Sequence, residues 1–576
     1  MAAFSHSLPV SKALLFRYVV LPVTLVGVLW TIFSLSQSEP AAELTPSRFH
    51  PLATVPQVPF TDGAIKPTPQ SPAQWKQAAE DVKAAFLHAY RSYETRASPH
   101  DELRPLTGGA VDNFNGWGVS VFDSLDTMLL MDLKEEYTRA LEIVKQANFS
   151  MPKADELARK LSPAFNTSSG LPTFEAGSAS GAPRSMSGVL AEVASCMPEY
   201  TYLGKITGNK EYYDQAAMIM HRLESANLSA LGGMLPTSWD LKFGRPYDTK
   251  LTVGGQADSG HEYLLKQYLL TGRSEKPALE MYLRTTTHII TRMLHLSSHR
   301  KLLWPTQLTG VAPNDVPRYA HEHLSCFLPG LFALGVKTLP LDNLAAEGID
   351  FASLSIDLSF EGQKEYELLK NYKLSDLHLW AAEGMAEACN ALYADSPTGL
   401  SPDEVMIHYG ANSVRWIDAL EDWRMGGKNG PVPGTARITP IPHVPGQKLP
   451  DKDYSIGRSA YEMRPELLES LYILWCATGD GRWRKYGWNI FQAIETNAKV
   501  EMGYSSLHYS DHLPPSRKDS MPSYFFAETL KYLYLLFTDE DLLPLDKWVF
   551  NTEGHPLPIF TWSADEKQTF GLDTML

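Results

Sequence analysis

Apolar residues recur at three- and four-residue steps from Gln74 onward, the spacing that lines one face of a helix. The stretches WKQAAEDVKAAFLHAYRSYETRA (75–97), SLDTMLLMDLKEEYTRALEIVKQA (124–147), GHEYLLKQYLL (260–270), SDLHLWAAEGMAEACNALYAD (375–395) and PELLESLYILWCA (465–477) all carry it. Long apolar–polar alternation is scarce, so the pattern predicts an all-α class. YLGKITGNKEYY (202–213), YLLKQYLLTGRSEK (263–276) and LYILWCATGDGRWRKY (471–486) share a further layout. In each, an apolar helix runs to Thr-Gly, a polar turn follows and a second helix begins. Glycine just past a helix end accepts the left-handed backbone that stops the helix. Repeated helix–Thr-Gly–helix hairpins predict concentric helices closing into an α/α barrel, with an open solenoid as the competing geometry.

The N-terminal end has a different pattern. Tyr18 to Leu35, YVVLPVTLVGVLWTIFSL, is almost wholly apolar and long enough to span most of a bilayer's hydrocarbon core. Lys12 and Arg17 precede it, while Glu39 and Glu43 follow. The positive-inside rule then predicts a type II anchor with the bulk of the chain in the lumen. A cleavable signal peptide would have a shorter apolar core and a small-residue cleavage site. The predicted organisation is a cytosolic tail at 1–17, an anchor at 18–36, a Pro/Ser/Thr/Ala-rich flexible stem at 37–72 and one domain at 73–576. Sequons at Asn148, Asn166 and Asn227 all fall on the predicted luminal side.

Composition narrows the class. The chain is 44% hydrophobic and 20% charged, an ordinary globular balance, and its net charge of −15 with no basic run argues against a nucleic-acid partner. Its four cysteines, Cys196, Cys326, Cys389 and Cys476, form neither a CxxC nor a Cys/His zinc pattern. Composition leaves one disulfide, two or none open.

Several acids sit beside predicted helix ends: VFDSLDTM (121–128), MPEYTYL (197–203), GGQADSGHEYLLK (254–266), MRPELLES (463–470), FFAETLKY (525–532) and FNTEGHP (550–556). An isolated acid at a helix start is ordinarily a solvated residue favoured by the macrodipole. Glu528 does not fit that, because SYFFAETLKYLYLLF leaves it no solvated face. A buried carboxylate must be paired, protonated or near a metal. Several such acids without Cys/His spacing suit hydrolysis by carboxylates, with a hard cation liganded by oxygen.

These segments closely resemble motifs of the class I α-1,2-mannosidases, glycoside hydrolase family 47, in the family's order over roughly residues 75–560. The matching stretches are 116–137, 190–208, 254–272, 321–335, 461–480, 520–539 and 550–558. The resemblance implies an (α/α)7 barrel and calcium-dependent, inverting removal of α-1,2-linked mannose from high-mannose N-glycans in the endoplasmic reticulum or Golgi. It implies that Glu199 is a catalytic acid acting through a water, that Asp258 is a second acid, and that Glu466 is the base. Asp403 stands where the family has a glutamate sometimes counted as another acid. Thr552 matches the calcium ligand, through carbonyl and hydroxyl oxygens. Arg464, Glu469, Glu528 and Glu553 match the pocket around the sugar, and His323 and Tyr524 match substrate-side positions. Cys326 and Cys389 match the family's disulfide, leaving Cys196 and Cys476 as buried thiols.

The chain departs from the pattern between Asn148 and Pro163, where about thirty residues of an inner-barrel helix are missing. It either lost a stretch of coding sequence or is a degenerate homologue that binds glycan with little turnover. Gln256 stands where an arginine often helps select the glycan branch.

Overall fold

The computed structural model describes residues 66–147, 158–159, 161–173, 185–410, 413–441 and 452–572. The predicted tail, the anchor at 18–36, most of the stem, the Asn148 sequon and most of the shortened segment lie outside the described residues. No single helix among the described residues is long and apolar enough to cross a membrane.

Helices dominate. They are α1 (Pro72–Arg96), α2 (Val119–Leu130), α3 (Lys134–Ala147), α4 (Leu190–Ala194), α5 (Met197–Thr207), α6 (Lys210–Glu224), α7 (Asp258–Leu270) and α8 (Lys276–His288). There follow α9 (Leu328–Thr338), α10 (Phe360–Leu369), α11 (Leu374–Ala394), α12 (Trp416–Met425), α13 (Glu466–Thr478), α14 (Arg482–Ala493), α15 (Leu530–Phe537) and α16 (Ala564–Phe570). Local chemistry sets their ends. Ser71 caps α1 by accepting from Gln74 N–H, with Pro72 in the first turn where its missing N–H costs nothing. All three Thr-Gly hairpins form. α5 stops at Gly208 (φ 71°) before α6, α7 stops before Gly272 (φ 60°) and α8, and α13 stops at Gly479 (φ 67°) before α14.

The helices fall into two kinds. α6 buries Tyr212, Tyr213, Ala216, Ile219, Met220 and Leu223, one stripe with its other face in solvent. In α7, every residue after Asp258 is buried. The first two turns of α2, α5, α9 and α13 are buried almost all round. These enclosed helices neighbour one another: α7 packs on α5 and α9, α9 on α13, and α13 on α15. The amphipathic helices lie outside them, with α6 against α5, α8 against α7 and α14 against α13.

Two differences from the sequence expectation have local causes. The single helical pattern over 124–147 is broken into α2 and α3 at Asp132, whose φ of 52° is left-handed. The all-α prediction also meets small hairpins of two- and three-stranded sheets, with strands two to five residues long. Alternation in strands that short is too brief to rise above a helical background. The largest of these sheets runs directly into His323. Ala320–Glu322 pairs with Glu404–Ile407, which pairs with Tyr454–Arg458.

Candidate active site

The enclosed helices begin at a common end. Glu199 sits in the first turn of α5, Asp258 is the first residue of α7, and Glu466 is the first of α13. Glu528 lies in the π-helical segment Phe525–Thr529 that runs into α15. His323 opens the turn His323–Phe327 that leads into α9. Helix N-termini carry partial positive charge, so this end favours anions. A cavity of about 470 Å³ opens there. Its wall includes Asp258, Arg464, Glu466, Glu469, Tyr524, Glu528, Thr552 and Glu553, eight of the residues singled out by sequence, together with Gln256 and Glu262.

The remaining candidates lie behind that wall. His323 Nδ1 lies 2.8 Å from Glu466 Oε2. Glu199 Oε1 accepts from the Tyr263 hydroxyl (2.9 Å) and Asn551 Nδ2 (3.2 Å), while Oε2 has no partner among the described residues. The same Tyr263 oxygen accepts from the Thr552 N–H at 3.0 Å, tying Glu199 to the turn that carries Thr552. Asp403, grouped with the catalytic acids by sequence, does not line the cavity. Its carboxylate holds Arg464 (Nε–Oδ1 2.6 Å) and Arg458, so it supports the guanidinium that faces the site.

The carboxyls are tuned apart. Burial pushes Glu199 up to about 7, against the hydrogen bonds from Tyr263 and Asn551. Burial also pushes Asp258 up to about 7, and the charges of Glu262, Glu466 and Glu322 add to the shift. Burial acts upward on Glu466 too, but the His323 hydrogen bond and the Arg464 guanidinium outweigh it and hold this carboxyl below the ordinary glutamate range. Neighbouring carboxyls whose surroundings push them apart in this way are the arrangement that lets one act as a base and another as an acid.

Around them is a dense group of acids. Burial raises Glu469 to about 7, and raises Glu528 well above the usual range with help from Glu553, Glu466 and Glu469. Glu553 rises to about 8 for the same reason, with Asp123 the largest neighbouring charge. Beneath them, fully buried Lys266 bonds Glu262 and lies 3.2 Å from Glu469. The turn bearing Thr552 is rigidly built. Asn551 Oδ1 accepts from the N–H groups of Glu553 (3.1 Å) and His555 (2.8 Å). Lys531 bridges Asp126 and the Gly554 carbonyl, each at 2.7 Å, and His555 Nδ1 lies 3.1 Å from Asp126.

These donors are hard oxygens crowded until they repel one another, which suits an oxygen-seeking cation and not a soft metal. His321, Cys326 and Cys389 also converge, but the two sulfurs are bonded to each other as a disulfide, so they form no metal seat. Cys196 and Cys476 are free, Cys196 fully enclosed and Cys476 partly.

Several site residues were not among the sequence candidates: Tyr263, Lys266, Lys531, His555 and Tyr393, whose hydroxyl lies 2.7 Å from His323 Nε2. Two of them carried a signal. Lys266 in HEYLLKQYLL and Lys531 in ETLKYLYLLF interrupt apolar runs, and a buried ammonium needs an acid beside it. The tyrosines look like core aromatics in sequence.

The model of glycosyl hydrolase family 47 matches in two stretches, residues 85–155 and 146–559. A mannosyl-oligosaccharide 1,2-alpha-mannosidase of Arabidopsis thaliana is 31% identical over 85% of this chain and 80% of its own length. The human endoplasmic reticulum mannosyl-oligosaccharide 1,2-alpha-mannosidase is 29% identical over 91% of this chain and 69% of its own. Among solved structures, the alpha-1,2-mannosidase from Trichoderma reesei superposes with a TM-score of 0.67 over 84% of this chain and 99% of that one, at 24% identity, a likeness of fold.

Proposed function

This chain belongs to glycosyl hydrolase family 47, and from that premise we propose that it removes terminal α-1,2-linked mannose from high-mannose N-glycans by an inverting, calcium-dependent mechanism. The observation that carries this is the gathering of Asp258, Glu466, Glu469, Glu528 and Glu553 around Thr552 at one cavity, with Glu199 behind it, in surroundings that lower Glu466 and raise Glu199 and Asp258 to about 7. Glu466 takes a proton from the attacking water. Asp258 and Glu199, the latter through a water on its open Oε2, supply the proton that the departing sugar oxygen needs. Inversion requires space for that water, and inverting glycosidases in general hold their two carboxyls about 6.5–9.5 Å apart to provide it. Arg464, steadied by Asp403, faces the same space. The Tyr524 ring is fixed by its hydroxyl, which donates to the Glu462 carbonyl at 2.5 Å, and gives a sugar face something to stack on. Glu469, Glu528 and Glu553 meet sugar hydroxyls.

Calcium fits the oxygen-only donor set. The Thr552 carbonyl and hydroxyl would hold it, with waters and sugar hydroxyls completing six to eight ligands. When bound, the ion supplies positive charge that orients the hydroxyls of the terminal ring.

On the same reading, the enclosed helices α2, α5, α7, α9, α13 and α15 are inner staves of an (α/α)7 barrel short of one stave. Residues 18–36 anchor it, 37–72 form the stem, and residues 73–576 face the lumen of the endoplasmic reticulum or Golgi. One observation favours a second reading. The family match falls into two stretches that overlap at 146–155, beside the shortened segment, and a barrel so altered suits a glycan-binding protein of glycoprotein degradation with weak or no turnover.

The test is release of mannose from a nine-mannose glycan by the purified chain, followed by proton NMR in the first minutes. The expected product is β-mannose, lost on adding a chelator and restored by calcium. The Glu466→Gln protein should lose at least about a thousandfold in kcat, within the usual contribution of a positioned base and its water. Full turnover by Glu466→Gln rejects the assignment of the base. Glycan binding with no mannose released favours the second reading.

A further inference from the structure

Histidine 323 is bonded on both ring nitrogens. Its Nδ1 meets Glu466 Oε2 at 2.8 Å, and its Nε2 meets the Tyr393 hydroxyl at 2.7 Å. Tyr393 is 2% exposed and lies in the last turn of α11, with its ring edge-on to the imidazole (centroids 5.6 Å apart). It is too deep to touch a sugar and is absent from the cavity wall.

A neutral imidazole carries one N–H, and which nitrogen holds it is set by the partner of the other. An ionised Glu466 can only accept, so a productive pair needs the hydrogen on Nδ1. Nε2 is then a buried lone pair, and it needs a donor. Tyr393 offers one, since burial raises its phenol well above the ordinary value and keeps the hydroxyl protonated.

The local architecture holds this bond in place. The disulfide Cys326–Cys389 joins the same two elements. Cys389 lies one helical turn before Tyr393, and Cys326 lies in the same His323–Phe327 turn as the imidazole.

We propose that Tyr393 is a positioning residue of the hydrolysis: by donating to His323 Nε2 it fixes the tautomer whose Nδ1–H keeps Glu466 ionised and aimed. This rests on the reading of Glu466 as the base. No proton leaves the relay in a turnover. The attacking water gives its proton to Glu466, while both His323 and Tyr393 keep theirs. Without the Tyr393 hydroxyl, the hydrogen is free to move to Nε2, and Nδ1 then turns a lone pair toward a carboxylate. Glu466 relieves that repulsion by taking up a proton, which disables it as a base.

Other groups that face Glu466 set the background on which this acts. Arg464 from its own loop approaches Oε1 at 3.8 Å and favours the charge. Against it stand Asp258 from α7, Glu469 one turn along α13, Glu528 from the Phe525–Thr529 segment and Glu553 from the Asn551–His555 turn. Two further tyrosines, Tyr461 and Tyr524, face it from neighbouring loops. With burial and these acids against one guanidinium, loss of the His323 bond raises the pH at which Glu466 titrates.

The experiment compares pH profiles of kcat and KM on a nine-mannose glycan, with calcium present, for the full chain and for Tyr393→Phe, His323→Ala, the double variant and Glu466→Gln. Tyr393→Phe is expected to move the acid limb of kcat upward by about one pH unit and to lower kcat about tenfold below it, the scale of one buried hydrogen bond. KM should stay unchanged, and kcat should recover at higher pH. On the His323→Ala background the Tyr393→Phe change should add nothing, because the two act as one unit. If Phe impairs folding, 3-fluorotyrosine at 393, a stronger donor of nearly the same shape, should move the acid limb downward. An unmoved limb in either variant, or a pH-independent loss equal in both backgrounds, overturns the proposal and leaves Tyr393 a packing residue. Full activity of Glu466→Gln removes the premise itself. An inactive Glu466→Gln beside an unmoved Tyr393→Phe rejects only the tautomer role.

Discussion

At Lys266 a single ammonium holds two acids of the site. It is fully buried, bonded to Glu262 and 3.2 Å from Glu469, and those charges push it above the ordinary lysine range despite burial. Removing one partner of a buried ion pair leaves an uncompensated charge, at a cost of about 3–5 kcal/mol. Lys266→Met should therefore destabilise the chain by that amount in urea denaturation, and its calcium affinity should fall as Glu469 takes up a proton. Unchanged stability and unchanged calcium binding would remove Lys266 from the site. At this scale sequence was informative about the carboxyls. Glu528 stood out because no helical face was left for a charge, and the motif matches supplied Glu199, Asp258 and Glu466. It was least informative about residues whose role is geometric. Asp403 looked like another acid, and only the position of Arg464 shows what it faces. Tyr263 is a core aromatic by every local criterion until its hydroxyl is found between Glu199 and Thr552.

Among the elements, the Asn551–His555 turn shows how backbone shape fixes the place of Thr552, the proposed calcium ligand. Gly554 has φ 70°, and a Cβ placed there would stand 2.9 Å from Glu528 Cγ and 3.2 Å from the Ala527 carbonyl. Only glycine takes that backbone freely, and only glycine leaves Glu528 in place. Gly554→Ala is predicted to lower stability by about 1–3 kcal/mol, the range for a strained φ. It should also weaken calcium binding measured by calorimetry, since Thr552 moves with the turn. An alanine variant binding calcium as tightly as the parent would show that the turn does not set the seat. The Thr-Gly hairpins were legible because a helix stop needs one particular residue in one particular place. The break at Asp132 was not, because its left-handed backbone occurs at a residue with a side chain and leaves no glycine to mark it. The π-helical segment Phe525–Thr529 was also hidden, since widening one turn changes no residue type yet rotates Glu528 relative to α15.

The molecule as a whole stores protons at one end, and this gives its stability a pH dependence of definite sign. Glu199, Asp258 and Glu469 each rise to about 7 through burial, whereas an unfolded carboxyl titrates near 4. Between those values the folded chain holds protons that the unfolded chain has released. A carboxyl raised in this way contributes its full stability below the unfolded value and loses it as pH rises through the folded one. In the absence of metal the chain should therefore be most stable in mild acid, and its melting temperature should fall steadily from about pH 5 to 8. A divalent cation favours the ionised carboxyls and binds only the folded form, so it reverses the trend. The gain in melting temperature from millimolar calcium should be small at pH 5 and should grow toward pH 8, with the curves for calcium and chelator converging in acid. Parallel curves would mean that the cation binds elsewhere, away from the carboxyls that surround Thr552. The scale of this effect follows from the fold: buried helix starts concentrate acids where solvent is scarce. A helical pattern in sequence predicts the helices but not that their N-termini share one end, and that shared end turns separate motifs into one site.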